Sequence, residues 1–389
     1  MYIPIDELNN TLDRLSHNKF YKNRIPTTVT DILDFSNSVP LMSRLDLVME
    51  MKKPNYGAFG GANPVRVNIC PTGHGLIPIL HTRGDMGRII TAVRSNLDAC
   101  GVEPGDTCAV FFNYHLSDTG LFYQNQMEAH GVACIPLGPD ETKRAVEICI
   151  VNNVNILAGN PTFALRLIEE GCPAPKVFFS GGEPLTANYN LYKSVSEAMP
   201  ATIIVDSLSL SEFLSVGRTF PGGNGVHIFD ELVFAEVIDP ETLSPLNDGE
   251  RGELVLTHLN KEAQPLLRYR TGDLTLKIET PSVFGRKQCL PYVVFGRIDE
   301  MVKVKGVKLY PSEVRFCLFG IAELDGPYRI SVFFEKSGRE MISISLQGNA
   351  GDEAAEEVSK RFEARTTVKV DIVEIIATLE KGPLFVDKR

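Results

Sequence analysis

From residue 107 to about 205 the sequence alternates short β-rich runs with helical periodicity, and this alternation constrains the fold more than any other feature. Thr107–Phe112 (Thr-Cys-Ala-Val-Phe-Phe) reads as a buried strand, Thr119–His130 as a helix, Val132–Pro136 as a strand and Thr142–Asn152 as an amphipathic helix. Ile156–Ala158, the helix Thr162–Glu170, Val177–Ser180, a helix around Ala187–Ala198 and Thr202–Val205 continue the series. Strands alternating with helices of about 10–15 residues build βαβ units and a parallel sheet. Such sheets bind ligands beyond the carboxyl ends of their strands. Two loops stand there: Ser180-Gly-Gly-Glu-Pro after Val-Phe-Phe, and Asp206-Ser-Leu-Ser-Leu-Ser-Glu after Ile-Ile-Val.

After about 215 the pattern changes. Pro221–Gly225 is a breaker cluster, and strand runs follow without helices between them: Val226–Phe229, Leu232–Ile238, Glu253–His258, Leu274–Ile278 and Tyr292–Phe295. Pro245-Leu-Asn-Asp-Gly-Glu is turn chemistry, so this stretch reads as a mostly antiparallel β subdomain. Arg329–Phe334, Met341–Leu346, the helix Asp352–Arg365 and Thr367–Ile376 then form a small β/α unit. The expected class is α/β: a large N-terminal domain over 1–298 and a small, mobile α+β domain over 299–389. A chain of 389 residues is long enough for two or three domains.

Composition excludes several function classes. Lys plus Arg number 39 against 49 Asp plus Glu, a formal charge of -10; a nucleic-acid or anionic-membrane surface needs clustered Lys and Arg instead. No run approaches the roughly 20 apolar residues of a membrane span. The start, Met-Tyr-Ile-Pro-Ile-Asp-Glu-Leu, lacks the basic and apolar regions of a secretory signal. The eight cysteines are scattered, without a Cys-x-x-Cys pair or a Cys/His cluster, as suits reduced thiols rather than a disulfide framework or a zinc site. The reading is a cytoplasmic protein with no nucleic-acid or membrane partner.

Taken singly, the polar motifs are ordinary. Tyr269-Arg-Thr-Gly-Asp273 is a turn with an exposed acceptor, and Gly296-Arg-Ile-Asp-Glu-Met-Val-Lys-Val-Lys-Gly-Val-Lys308 is a charged hairpin of the kind usually found on a solvated face. Their order is informative. A Thr-Gly-His-Gly loop, a Gly-Gly-Glu-Pro loop, a Leu-Ser-Glu loop, the Arg-Tyr-Arg-Thr-Gly-Asp segment, a Gly-Arg-x-Asp hinge with a Lys-Val-Lys-Gly hairpin and a near-terminal Lys381 succeed one another. This succession resembles the adenylate-forming superfamily of acyl-CoA synthetases, adenylation domains and luciferases. Gly159-Asn-Pro-Thr-Phe-Ala-Leu-Arg-Leu, Val226-His-Ile-Phe-Asp230, Glu236-Val-Ile-Asp-Pro-Glu-Thr, Gly249-Glu-Arg-Gly-Glu-Leu-Val-Leu-Thr and Leu266-Leu-Arg-Tyr-Arg-Thr-Gly-Asp are most similar to its phenylacetate-CoA ligase branch.

The resemblance implies a ligase that uses ATP and Mg²⁺ to turn a small carboxylic acid into an acyl-adenylate. The acyl group then passes to the thiol of CoA or of a phosphopantetheinyl carrier protein, and AMP leaves. A homodimer is compatible with this reading. Lys381 falls where the family's mobile lysine bridges carboxylate and α-phosphate, with Lys388 and Arg389 as weaker alternatives. Asp273 and Arg297 take the ribose and phosphate positions. Gly181, Gly182 and Glu183 resemble the adenine-side loop, and Asp206, Ser207 and Ser211 belong to the second nucleotide loop. Glu212 stands at the Mg²⁺ ligand position, a hard oxygen donor for a cation that keeps several waters. Asp299 is the hinge. Gly306 faces the incoming thiol, with Lys303 and Lys305 beside it for acceptor phosphates. Tyr114, His115, Phe122, Tyr123, Leu208 and Ser209 line the acyl pocket, whose aromatic walls suit an aryl or heteroaryl acid.

The chain also departs from the pattern. Its phosphate loop, Asn68-Ile-Cys-Pro-Thr-Gly-His-Gly75, keeps only Thr72 and Gly73 of a Ser/Thr/Gly-rich run, with His74 at the usual lysine position. Leu208 and Ser209 replace an aromatic residue and a glycine; Glu380 and Leu384 replace a glycine and a basic residue. Three alternatives stay open: a degenerate homologue that binds nucleotide without catalysis, a partner subunit that channels an acyl-adenylate, and a ligase whose acceptor is an amine.

Overall fold

The computed structural model describes residues 2–389 except 73, 74, 117, 118, 140, 184, 224, 280–284, 292, 301, 319, 322, 323, 325 and 381, and gives no side chain at 189, 190, 299, 308 or 316. The chain divides into two compact units. The larger comprises 1–186, 191–271 and 275–293; the smaller comprises 187–190, 272–274 and 294–389.

The larger unit is organised by a nine-stranded sheet. Its parallel part runs Ile203–Leu208, Val177–Ser180, Ile156–Gly159, Thr107–Val110, Ala133–Pro136 in spatial order. Helices Thr119–His130, Thr142–Val151, Pro161–Glu169 and Tyr189–Ala198 make the crossovers, as the alternation predicts. Every residue of Val177–Ser180 and Ile156–Gly159 is buried, the signature of strands covered on both faces. Leu157, Phe178, Leu167, Val195 and Met199 pack into one core cluster there. The sheet continues antiparallel through Gly217–Arg218, Val226–Ile228, Gln288–Leu290 and Ile278–Glu279.

A second antiparallel ladder pairs Val233–Ile238 with Arg251–His258, and Arg251–His258 with Tyr269–Leu276. Beside it Arg268 and Glu236, each 2% exposed, form an ion pair at 3.2 Å. Arg268 also donates to the carbonyls of Ser36 and Val39, so the buried charges are hydrogen-bonded rather than stranded. Helices Ile5–Ser16, Ile32–Ser38 and Arg44–Met51 precede the hairpin Arg66–Thr72/Gly75–His81. Helix Arg83–Arg94 starts on a reciprocal cap between Thr82 and Asp85.

The smaller unit holds a four-stranded sheet in the order Ile372–Ile376, Glu340–Gln347, Tyr328–Phe334, Phe385–Asp387. Helix Asp352–Thr366 buries Val358 and Phe362 against a core that includes Ile330, Val332, Ile342 and Ile344. The hairpin Val302–Val304/Val307–Leu309 turns through Lys305 (φ 50°) and Gly306 (φ 78°). Two consecutive positive φ angles suit the twist of a two-residue turn.

The structure corrects several sequence readings. Tyr269–Asp273 is the first part of strand Tyr269–Leu276, not a turn. Gly272 (φ 76°) reshapes the strand locally, and a Cβ there would meet Arg297 Nη2 at 2.6 Å. Strands Gln288–Leu290 and Gly296–Arg297 flank the segment read as strand Tyr292–Phe295, while Val293 and Phe295 are buried outside those strands, Phe295 donating its backbone N–H to the Leu274 carbonyl at 2.7 Å; residue 292 lies outside the described residues. The strand expected from Thr367 begins only at Ile372, because Thr367 ends the preceding helix with φ 60°. Asp206, Ser207 and Leu208 extend a strand rather than opening a loop, since Ser207 and Leu208 pair with Arg218 and Gly217.

Candidate functional site

At the carboxyl ends of the parallel strands the larger unit encloses a cavity of about 100 Å³. Phe122 and Tyr123 come from helix Thr119–His130, Ser207 from strand Ile203–Leu208, and Ser209 and Ser211 from the loop beyond it. The cavity therefore gathers five of the sequence-predicted residues. Tyr123 is 3% exposed and stacks on Phe112 with ring centroids 4.6 Å apart.

Three predicted pocket residues are not in the lining. Leu208 is buried in its strand. The Tyr114 ring packs where a Cβ on Gly120 would come within 2.8 Å, and His115 is exposed, its N–H donated to Asn113 Oδ1 at 2.8 Å. Alternation along strand Ile203–Leu208 turns Leu208 away from the cavity that Ser207 lines, which motif spacing does not show. In their place Asn68, Cys70, Ile79 and Arg218 complete the wall. Arg218 was not singled out from the sequence, where Val-Gly-Arg-Thr-Phe carries no motif; its only signal is a charge inside an apolar run.

Gly181 and Gly182 form the turn after Val177–Ser180. Gly182 has φ 78°, and a Cβ there would meet Asn160 Nδ2 at 2.7 Å, so any side chain would be strained on both counts. Asn160 Nδ2 donates to the Gly181 carbonyl at 3.2 Å, and Thr162 Oγ1 donates to Glu183 Oε2 at 2.5 Å. Asp206 is 2% exposed and accepts from Thr186 N at 2.9 Å and Thr186 Oγ1 at 2.8 Å. Burial pushes its carboxyl up to about 6 against the pull of those donors. It ties Thr186, three residues past Glu183, to strand Ile203–Leu208.

Glu212 is 3% exposed. Its Oε1 accepts from the Tyr269 hydroxyl at 2.6 Å and from Arg44 Nε at 3.1 Å. Burial pushes the Tyr269 phenol up, as does the adjacent Glu212 carboxylate, which keeps the phenol a donor. The Cys70 thiol lies close to Ser211, Glu212 and Arg44; burial raises its pKa. In the phosphate-loop segment Thr72 ends one hairpin strand and Gly75 begins the next, and Thr72 Oγ1 donates to the Gly75 carbonyl at 2.7 Å. Gly73 and His74 lie outside the described residues.

In the smaller unit Asp273 and Arg297 are register partners on adjacent strands, and Arg297 Nη1 donates to Asp273 Oδ1 at 2.9 Å. Gly306 occupies the tip of its hairpin. Lys305, expected to serve acceptor phosphates, is committed elsewhere: its Nζ donates to Asp371 Oδ2 at 2.6 Å and to the Lys369 carbonyl at 2.9 Å. Lys303 is exposed. Arg389 contacts Asp387, Glu340 and the Lys303 carbonyl, which occupies that alternative to Lys381. Lys381 itself and the side chain of Asp299 lie outside the described residues. Among the described residues no group of three or more His, Cys, Asp and Glu forms a metal cage, all eight cysteines are free, and no helix is long and apolar enough to cross a membrane.

No family model matches the chain. It is 30% identical over 292 residues to the phenylacetate-coenzyme A ligase of Thermus thermophilus, covering 68% of this chain and 65% of that one. It is 27% identical over 337 residues to the phenylacetate-coenzyme A ligase of Aromatoleum evansii, covering 79% and 75%. The match thus spans less than two thirds of the Thermus relative's length. Among solved structures, 2-hydroxyisobutyryl-CoA ligase in the postadenylation state with R3-HIB-AMP superposes with a TM-score of 0.79 at 23% identity, over 99% of this chain and 89% of that one. Apo MatB from Rhodopseudomonas palustris gives 0.61 at 16% identity, over 83% and 66%. The fold is that of the adenylate-forming CoA ligases. By sequence the chain is similar to phenylacetate-coenzyme A ligases, at 27–30% identity over 68–79% of its length.

Proposed function

We propose that this chain is an AMP-forming acid–thiol ligase acting on a small carboxylic acid, with CoA as the acceptor. The observation that carries the reading is the small cavity at the strand ends, walled by Phe122, Tyr123 and the 207–211 segment, in a chain related to phenylacetate-coenzyme A ligases. Aryl acids are the first substrates to try on that relationship.

In this reading a carboxylate oxygen of the acid attacks the α-phosphorus of ATP, the bond to the β-phosphate breaks, and pyrophosphate leaves. The thiol sulfur then attacks the acyl carbon, AMP leaves with the bonding electron pair, and the thiol proton passes to solvent. The first step concentrates negative charge, so cationic and N–H donors must be in place beforehand. Lys381 supplies that charge, Asp273 and Arg297 hold the ribose, and Gly181–Glu183 receive the adenine edge. Glu212 would hold Mg²⁺ as a hard oxygen donor, and the ion would supply positive charge against the phosphates. That role fits a buried carboxylate held in place by Tyr269 and Arg44 and needs no protein cage. Residues 299–389 act as a lid that turns at Asp299 between the two steps, bringing Gly306 and Lys303 to the thiol acceptor. The enzyme works in the cytoplasm.

The test is ATP–pyrophosphate exchange with Mg²⁺ across aryl, heteroaryl and aliphatic acids, followed by thioester detection with CoA. Exchange that depends on one acid, with CoA thioester formed, is the expected result. A thioester formed only on a carrier protein moves the acceptor. Silence across the panel with AMP still bound points instead to a nucleotide-binding homologue with an altered phosphate loop.

A further inference from the structure

Two residues lining the cavity carry buried N–H donors without a hydrogen-bond partner, Arg218 at Nε and Nη1 and Asn68 at Nδ2. The Ser207 hydroxyl, bonded to Tyr123, also lines it. Arg218 is 1% exposed and Asn68 8%. The guanidinium spends Nη2 on Gln126 Oε1 at 2.8 Å, and it lies over the rings of Phe179 and Phe229 at 5.6 and 5.3 Å. The Cys100 thiol lies beside it, its pKa raised by burial and drawn back by the arginine. Among the described residues no carboxylate pairs with Arg218, and no lining residue is acidic.

A guanidinium does not give up its proton inside a protein, and a buried charge needs a partner. Here that partner has to come from whatever enters the cavity. In the ligase reading the reacting carboxylate must lie beside the ATP phosphates, on the side of Glu212, the residue read as the Mg²⁺ ligand, which contacts Arg44 and Tyr269. Arg218 contacts Gln126, Phe179, Phe229 and the Cys100 thiol instead, so among these contacts the two charged groups share no neighbour. Resting on the ligase reading above, we propose that the acid this chain activates carries a second carboxylate, which Arg218 receives together with Asn68 and Ser207. The planar fork of a guanidinium matches a carboxylate with two N–H bonds. The volume of about 100 Å³ is smaller than that of a cavity of about 150 Å³ that holds benzene, so a short chain fits as it stands and a ring needs the walls to give.

The test compares matched acids on wild-type protein: succinate with butyrate, and 4-carboxyphenylacetate with phenylacetate, each titrated by calorimetry without ATP and then assayed in pyrophosphate exchange. At least one diacid should bind ten times more tightly than its monoacid, and Arg218→Met should erase that preference. Equal or tighter binding of the monoacid in both pairs, no binding of either diacid, or a folded R218M that keeps the preference would overturn the proposal. The wild-type comparison decides even if the variant does not fold. Exchange with a monoacid and no diacid preference removes the subsite but leaves the ligase reading. Diacid binding controlled by Arg218 without any exchange keeps the subsite and removes the ligase reading.

Discussion

The hydroxyl of Tyr269 donates to Glu212 Oε1 at 2.6 Å, joining the start of strand Tyr269–Leu276 to the serine-rich loop 57 residues earlier. Arg44, from the N-terminal helices, donates to the same oxygen. Two motifs that look independent in the sequence are thus tied through one carboxylate, and a helix that carries no motif supplies the third member.

Tyr269→Phe removes a buried hydrogen bond to a charged group. Such bonds contribute about 1.5–3 kcal/mol, so the urea unfolding midpoint should fall accordingly, and the KM for Mg·ATP should rise as Glu212 loses its alignment. An unchanged midpoint with unchanged exchange kinetics would mean that this contact positions nothing.

Asp273→Asn keeps the shape of the strand but exchanges an ionised acceptor for a neutral one opposite Arg297. Losing a charge-assisted bond to the ribose should weaken AMP binding about 10- to 100-fold, from the same range of energies. Calorimetric titration with AMP checks this. Binding at wild-type strength would take Asp273 out of the ribose contact and leave it as Arg297's structural partner.

Lys381→Ala should lower acid-dependent pyrophosphate release by about 100-fold or more, the scale of losing one donor to developing charge, while AMP still binds. Release at the wild-type rate would discard Lys381 as the catalytic cation.

Acid stability should decline early. Burial, and after it the neighbouring ammonium of Lys261, push His81 down to about 3; Lys261 Nζ lies 2.7 Å from His81 Nδ1. Burial holds His258 well below the usual histidine range as well. Both imidazoles are neutral when folded and protonate near 6.5 when unfolded. The unfolded chain therefore binds more protons as the pH falls, and stability drops from about pH 6.5 downward, for His81 until its folded pKa near 3 is passed. Each histidine contributes a slope of up to about 1.4 kcal/mol per pH unit. His81→Gln, which keeps an acceptor for Lys261, should remove one proton's worth of that slope between pH 6 and 4. A chemical-denaturation series with equal slopes for both proteins would contradict it.

The parallel half of the sheet was legible because buried strands and amphipathic helices write their period directly into the sequence. Thr119–His130 and Val177–Ser180 coincide with the observed elements. Strand Tyr269–Leu276 was less legible, since Arg-Thr-Gly-Asp has turn chemistry and only pairing on both sides makes it a strand. The same holds for Ser207 and Leu208, whose strand character depends on Gly217 and Arg218 across the ladder. Motif order pointed to Phe122, Tyr123 and Ser209 in the cavity but could not reveal Asn68 or Arg218, which arrive through tertiary pairing. Nor could charge counting show that Lys305 answers to Asp371.

The hairpin Arg66–Thr72/Gly75–His81 has seven cross-strand pairs, the last of them Thr72 with Gly75. Only two residues connect strands whose register is fixed far from the tip. Loop closure becomes costlier only slowly with length, so a longer segment spliced between Thr72 and Gly75 would be anchored by the same zipper. The tip is therefore an exchangeable module: evolution or a protein engineer can rewrite its chemistry as a cassette, without renegotiating the scaffold that presents it.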